Sequence, residues 1–354
     1  MIPRLFDKCL ITPDDIKPSR DDFEVIGAFN PGVVEFDNTT YLLLRVAERP
    51  KEERKGYIAL PRMEMAEDSQ EIVIDWERTE DVDILDKRLV QLKSNGHLRL
   101  TYISHLRLAK SRDGIRIDSI DEKPTLFPQE DYEEFGIEDA RITSFGDHCI
   151  ITYVAASRHG IVTALASTND FNRFERHGII FPTENKDMVI FPEKINRQFA
   201  ALHRPLSKAI FGRPEIWIAY SPDLRHWGNH KVVMSGNSYW DSMKIGASAP
   251  PVKLPDGWLE IYHGSSKKDQ HDAVGVYRAG AVLFDLENPA RVIARSKEPI
   301  LIPEQEYECD GFLPDIIFPT GVVLRGDDLF IYSGTADMYT AVTKLSLNKV
   351  LDSL

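Results

Sequence analysis

With 354 residues and a formal net charge of −13, the chain lacks the basic surplus needed to bind nucleic acid or an anionic membrane surface. The length fits one or two domains, and an all-β architecture can take all of it as one unit. The three cysteines, Cys9, Cys149 and Cys309, are too few and too scattered for a disulfide framework or a zinc knuckle, which points to a reducing compartment, the cytoplasm.

Taken in chain order, the first fifteen residues lack the apolar core of a signal peptide. No later run approaches the roughly 18 apolar residues of a membrane helix. From Phe29 onward one pattern recurs: a polar or proline-marked entry, a short strand, a tight turn and a returning strand. The first copy runs over 29–36, turns at Asp37-Asn38-Thr39 and returns over 41–49. The second runs from Glu138 to Ser157 around Gly146-Asp147, and the third runs over 191–195, turns at Asn196-Arg197 and returns over 199–205. The fourth occupies 249–264 around Pro255-Asp256-Gly257, and the fifth 318–337 around Gly326-Asp327-Asp328.

Between copies, the segments 110–114, 167–174, 220–227 and 284–289 each read as a strand ending in a polar turn, the outer hairpin of a four-stranded blade. The copies start near 30, 138, 192, 250 and 318, a spacing at the looser end of propeller repeats. The first step is about twice the others because of the charged segment 50–101, expected to be an irregular insertion and not a sixth blade. Its leading run, Glu48 to Lys55, is a solvated charge run, with Glu48 as the exception. Short helices are expected near 83–93 and 345–351, and neither keeps a 3.6 period long enough to cover a sheet. The expected fold is all-β, a five-bladed β-propeller forming a single domain over 1–354. Trp217, Trp227, Trp240 and Trp258 are expected in blade cores, with Tyr239 and Trp240 on a loop able to stack on a sugar ring.

A propeller hides its strand edges by radial repetition and leaves a channel lined by the starts of its innermost strands. The entry residues of all five copies therefore converge: Asn30 and Arg45; Glu138, Asp139 and Arg141; Lys186, Glu193 and Arg204; Lys244 and His263; Asp315 and Asp337. Carboxylates and cations together fit a polyhydroxylated substrate beside an anion. Cleaving a glycosidic bond takes a carboxylic acid to protonate the leaving oxygen and a nucleophile on the opposite ring face. Water needs a second carboxylate as base, whereas phosphate needs a cationic cradle. Lys186, Arg204, Lys244 and His263 have the right charge for that cradle.

The segments Ile26-Gly27-Ala28-Phe29-Asn30, Leu44-Arg45-Val46-Ala47-Glu48, Gly136-Ile137-Glu138-Asp139-Ala140-Arg141, Asn185-Lys186-Asp187, Phe191-Pro192-Glu193-Lys194-Ile195, Leu202-His203-Arg204-Pro205, Lys244-Ile245-Gly246, Ile261-Tyr262-His263-Gly264 and Tyr307-Glu308-Cys309 jointly resemble glycoside hydrolase family 130, the β-mannoside phosphorylases and mannosidases. The resemblance spans most of the chain and implies a five-bladed propeller. It implies that Asp139 is the catalytic acid, acting through a substrate hydroxyl, and that Lys186, Arg204, Lys244 and His263, with Tyr262 adjacent, bind phosphate. Many relatives carry arginine at the Lys186 position, so this chain keeps the charge but not the fork. The wording of the segments is most like members acting on β-1,2-linked mannosides.

The implied reaction is inverting phosphorolysis of β-mannosides to α-mannose 1-phosphate, with Asn30, Arg45, Glu138, Arg141, Glu193 and Asp315 on the sugar. A hydrolase with Glu193 or another channel carboxylate as the water-activating base is the alternative, and a non-catalytic carbohydrate-binding propeller is the more distant one. Phosphate is a co-substrate, no cofactor is expected, and the ten scattered histidines show no metal-ligand spacing. The expected partners are a manno-oligosaccharide and phosphate, with no nucleic acid and no membrane; self-association into a homo-oligomer stays open.

Overall fold

Type I′ hairpin turns need two consecutive residues at positive φ, which asparagine and aspartate tolerate best among residues with a Cβ. Asp37 and Asn38 take φ of 47° and 57°, and Asn196 and Arg197 take 51° and 69°, so two turns read from the sequence are of this geometry. In the computed structural model, which describes residues 2–66, 69–206, 213–237, 239–270, 272 and 274–354, the secondary structure is nearly all β. Two short α-helices occur among the described residues, Glu306–Cys309 and Leu347–Leu351. The second lies where the sequence places it.

The strands form successive antiparallel sets. Sheet I holds Phe23–Phe36, Thr39–Pro50, Ile103–Ser111 and Ser119–Ile120; sheet II holds Gly136–Ser144, Cys149–Ser157, Gly160–Thr168 and Glu175–Phe181. These two are joined by one parallel pairing, Gly136 with Ser104. Sheet III holds Asn185–Ile190, Phe199–Pro205, Ile216–Ser221 and Gly228–Met234; its first strand ends at Ile190, so the run 191–195 expected as a strand carries only an isolated bridge, Ile195 with Gln198. Sheet IV holds Lys244–Ala247, Val252–Leu254, Gly257–Ser266, Val276–Phe284 and Val292–Arg295. Sheet V holds Ile317–Arg325, Asp328–Thr335 and Tyr339–Ser346, and its outer strand is Phe6–Ile11 from the other end of the chain.

Each sheet alternates inward and outward side chains, so each presents an apolar face to both neighbours. Leu43, Leu106, Ile137 and Ile151 fill the space between I and II, and Ile150, Met188 and Ala201 that between II and III. Leu202, Ile245 and Tyr262 lie between III and IV, and Ile261, Ile317 and Ile331 between IV and V. Leu42, Leu44, Phe330 and Val342 lie between V and I, so the packing order returns to its start. Trp240 and Trp258 are both buried in the III–IV layer.

Within 50–101 a hairpin, Tyr57–Ala66 with Ser69–Arg78, is followed by the meander Val82–Ile84, Leu89–Leu92 and Leu98–Leu100. The helix expected near 83–93 is therefore a strand, a turn and a strand. Val82 pairs with Leu92 and Ile84 with Val90 at period 2. The Asp86 carboxylate accepts from the backbone N–H of Arg88 at 2.7 Å, a local turn bond that competes with a helix. Glu48, the exception in the charge run, is fully buried and accepts from Ser19 N at 2.9 Å.

Candidate active site

The innermost strands of sheets I, II and III each carry a bulge, breaking register between Phe29 and Gly32, Glu138 and Arg141, and Lys186 and Val189. A bulge leaves a residue unpaired and re-aims its side chain. At the three bulges stand Asn30, Asp139 and Asp187, with φ of 46°, 50° and 55°. Asn and Asp enter this left-handed region most readily, so the residue types the geometry favours are also those a polar site needs. All three are buried.

On one side, Asn30 Nδ2 donates to Asp139 Oδ1 at 2.8 Å and Arg45 Nη1 donates to the same oxygen at 3.1 Å. Arg45 Nη2 reaches Glu138 Oε1 at 2.6 Å and Tyr102 Oη at 2.8 Å, and its Nε reaches Ser104 Oγ at 3.3 Å. Its guanidinium lies 4.8 Å from the Phe29 ring centroid. Each arginine edge thus has a partner, which holds the cation rigidly against two carboxylates. Burial pushes the Asp139 carboxyl up, but Arg45, Arg141, Lys186 and the Asn30 bond outweigh it and hold it below the usual aspartate range. Burial leaves Asp337 above that range, with Arg88 and Arg45 opposing and Asp139 adding to the rise.

On the other side, Arg204 Nε donates to Asp187 Oδ2 at 2.6 Å, and His263 Nε2 lies 3.4 Å from that oxygen. The other ring nitrogen of His263, Nδ1, shares a hydrogen bond of 3.1 Å with Ser248 Oγ. The Ser248 carbonyl accepts from Arg141 Nε, and the Ser248 N–H donates to Glu260 Oε1 at 2.8 Å. Arg141 Nη1 also donates to the Asp139 carbonyl at 2.8 Å, so it ties the two sides together. Lys186 pairs in register with Arg204, and the Lys244 ammonium sits 4.8 Å from the Tyr277 ring centroid. Gly246 is required here, because a Cβ at that position would come within 2.7 Å of His263 Nε2 and overlap Asp187.

Burial opposes the charge on Asp187, yet Arg204, His263 and Arg141 hold its carboxyl well below the usual range. Burial brings the His263 imidazole down to about 4. Asn30 Oδ1, Arg141 Nη2, Asp187 Oδ1 and His263 Nε2 are buried without a hydrogen-bond partner. Unpartnered buried polar atoms cost stability, and Asp187 and His263, which face each other, and Arg141, which ties the two sides together, are polar groups a ligand can satisfy.

Asn30, Arg45, Glu138, Asp139 and Arg141 therefore come together as read from the sequence, and Arg204 and His263 join them through Asp187. Glu193 and Tyr262 stand elsewhere, and Asp315 is engaged by a lysine at the edge of the site, beside the Tyr277 ring that stacks on His263. Glu193 is exposed and pairs with Lys253 at 2.5 Å on a surface turn. Asp315 is paired with Lys268, and its carbonyl accepts from Tyr277 N at 3.0 Å. Tyr262 faces away from His263, since adjacent strand residues point to opposite faces. Its hydroxyl accepts from Arg295 Nε at 3.0 Å and lies 3.5 Å from Asp241 Oδ2. Sequence reasoning did not single out Asp187, Tyr102, Ser104 or Ser248. The only sequence signal for Asp187 was its place in the segment Asn185-Lys186-Asp187 beside Lys186; its match to Asn30 and Asp139 at a bulge shows in the structure alone. Among the described residues no group of three or more His, Cys, Asp or Glu side chains has the geometry to hold a metal ion. No helix among them is long and apolar enough to cross a membrane.

The chain is similar to the β-1,2-mannobiose phosphorylase of Listeria innocua, 41% identical over 348 residues, covering 98% of this chain and 96% of that protein. The solved complex of the Listeria innocua enzyme with β-1,2-mannobiose superposes with a TM-score of 0.91 over 98% of this chain and 96% of that one, again at 41% identity. A 1,2-β-oligomannan phosphorylase of Thermoanaerobacter is 37% identical over 253 residues, covering 70% of this chain and 81% of that protein. The family model Glyco_hydro_130, described as β-1,4-mannooligosaccharide phosphorylase, matches residues 88–354. The chain is an enzyme and belongs to glycoside hydrolase family 130.

Proposed function

We propose that this enzyme cleaves β-1,2-linked manno-oligosaccharides by inverting phosphorolysis, on a single domain built as a five-bladed β-propeller with an insertion over 50–101. The cyclic packing of sheets I to V, with the strand Phe6–Ile11 completing sheet V, supports the propeller. The phosphorylase relatives from Listeria innocua and Thermoanaerobacter support the reaction and the linkage. The three cysteines are free, in keeping with a cytoplasmic enzyme.

One observation carries the choice of nucleophile: a buried acid, Asp139, shares its site with the buried cations Arg141 and Arg204 and with the unpartnered nitrogens Arg141 Nη2 and His263 Nε2. Lys186 and Lys244 add charge to the same cradle. Asp187, the carboxylate within it, is held well below its usual range by Arg204, His263 and Arg141 against the effect of burial, and a weak base activates water poorly.

In the proposed step a phosphate oxygen held by Lys186, Arg204, Lys244 and His263 attacks the anomeric carbon of the terminal β-mannosyl unit. The bond from that carbon to the bridging oxygen breaks, and Asp139 sends its proton toward that oxygen through a sugar hydroxyl. The products are α-mannose 1-phosphate and a mannoside shortened by one unit. Arg45, Arg141 and Lys186 depress the Asp139 carboxyl, and a bound phosphate dianion offsets the part due to Arg141 and Lys186. Binding of the nucleophile therefore raises the readiness of Asp139 to hold a proton.

The test is to assay β-1,2-mannobiose with and without phosphate. The expected result is α-mannose 1-phosphate plus mannose with phosphate, and negligible cleavage without it. Undiminished release of mannose alone in phosphate-free buffer overturns phosphorolysis in favour of hydrolysis.

A further inference from the structure

We propose that Arg88, carried in by the insertion, is a specificity-determining residue that hydrogen-bonds the hydroxyl groups of the mannoside together with Asp337. This rests on the mannoside reading of the site above and gives the insertion a role in the reaction. Arg88 stands in the turn between Val82–Ile84 and Leu89–Leu92. Its Nη1 lies 3.3 Å from Asp337 Oδ2, across 249 residues of sequence, while Nη2 donates to Asp86 Oδ2 at 3.0 Å. The turn is pinned from below, because Thr101 N donates to the Arg88 carbonyl at 2.9 Å and Thr101 Oγ1 to the Lys87 carbonyl at 2.8 Å.

Asp337 is placed at the sugar side of the site. The next residue, Met338, accepts from Ala28 N at 2.9 Å, two residues from Asn30. Tyr102, just past the insertion, accepts from Arg45 Nη2 at 2.8 Å and meets the Phe312 ring edge-on at 6.2 Å. Lys87 lies 5.9 Å from the same ring. The phosphate cradle comes from sheets III and IV, whereas Arg88, Tyr102 and Asp337 come from the insertion, its junction with sheet I and sheet V.

The pair is only partly covered, with 30% of the Arg88 side chain and 13% of the Asp337 side chain exposed. Arg88 Nε also donates to Asp86 Oδ1 at 3.3 Å, and these three bonds engage three of the five N–H donors of the guanidinium. A guanidinium beside a carboxylate offers donors and acceptors side by side with the charge balanced. That matches neighbouring sugar hydroxyls, each of which donates and accepts, and gives no preference for an anion. A pair that only staples the insertion to sheet V would be expected to show in stability and leave substrate recognition alone.

The test compares wild type, Arg88→Ala and Arg88→Lys by phosphorolysis kinetics and thermal melting. The expected result is a KM for β-1,2-mannobiose raised about tenfold or more in Arg88→Ala, with the KM for phosphate within about twofold of wild type. Arg88→Lys should recover part of that loss, because it restores a donor without the fork. An unchanged mannobiose KM, or equal rises for both substrates tracking a lowered melting temperature, overturns the proposal. If wild type uses phosphate to cleave a different glycoside, and Arg88→Ala raises the KM for that one, the mannoside reading fails while a sugar-binding Arg88 stands.

Discussion

Asn30 and Asp139, 109 residues apart in sequence, are joined by a 2.8 Å hydrogen bond, and each occupies the left-handed bulge of its own sheet, at φ of 46° and 50°. The acid is thus oriented by a residue whose backbone was turned by the same device. Arg45 completes the grip at 3.1 Å.

Replacing the acid tests its role most directly. Asp139→Asn keeps the shape and can still meet Arg45, but carries no transferable proton. Phosphorolysis should fall by about 100- to 10,000-fold, the usual worth of a general acid, with an unchanged circular dichroism spectrum. Turnover near the wild-type rate would refute the assignment.

Arg204 grips Asp187 at 2.6 Å, and its truncation would leave a buried charge alone at a cost of about 3–5 kcal/mol. Arg204→Lys avoids this by keeping the cation while losing the planar fork. The KM for phosphate should rise about tenfold or more while that for mannobiose stays within about twofold. Equal changes in both constants would place Arg204 outside the anion site.

The opposite result is expected at Tyr262, whose hydroxyl is held by Arg295 at 3.0 Å on the far face of its strand. Tyr262→Phe should leave the KM for phosphate within about twofold and lower stability by about 1.5–3 kcal/mol, the worth of a hydrogen bond to a charged group. A large rise in phosphate KM with unchanged stability would return Tyr262 to the cradle.

Gly334 backs Asn30 so closely that a Cβ there would lie 2.6 Å from the Asn30 backbone nitrogen and overlap its side-chain oxygen. Gly334→Ala should cost about 1–3 kcal/mol by overpacking and lower kcat, since Asn30 must shift away from Asp139. An unshifted melt with full activity would show that the strand yields freely.

The buried imidazole of His263 predicts acid sensitivity. Its folded pKa is brought down to about 4 by burial, while in the unfolded chain it lies near 6.5. Below about pH 6.5 the unfolded form takes up a proton that the folded form refuses, so stability falls with pH by on the order of 3 kcal/mol until about pH 4. Above about pH 6.5 both forms are neutral and the effect is absent. His203, brought down to about 3 by burial and His230, acts in the same direction. Urea denaturation at about pH 7 and about pH 5 should show a smaller loss for His263→Gln than for wild type; equal losses would contradict it.

Local chemistry sufficed for the strands and their turns. Asp37-Asn38, Asn196-Arg197 and Gly146 carry the positive φ that a tight hairpin demands, and a turn spans only four residues. The same locality made Glu138, Asp139, Arg141, Arg204 and His263 stand out in the sequence, since each lies at the end of an alternating apolar run. Tertiary structure alone decided that Asp187 joins Arg204 and His263, because a bulge shifts register by one residue and reverses which side chains face the site. It also sent Glu193 to a surface pair with Lys253, turned Tyr262 toward Arg295, and brought Arg88 to Asp337. Such contacts join segments far apart in the chain, and the alternation within each segment carries no record of its partner.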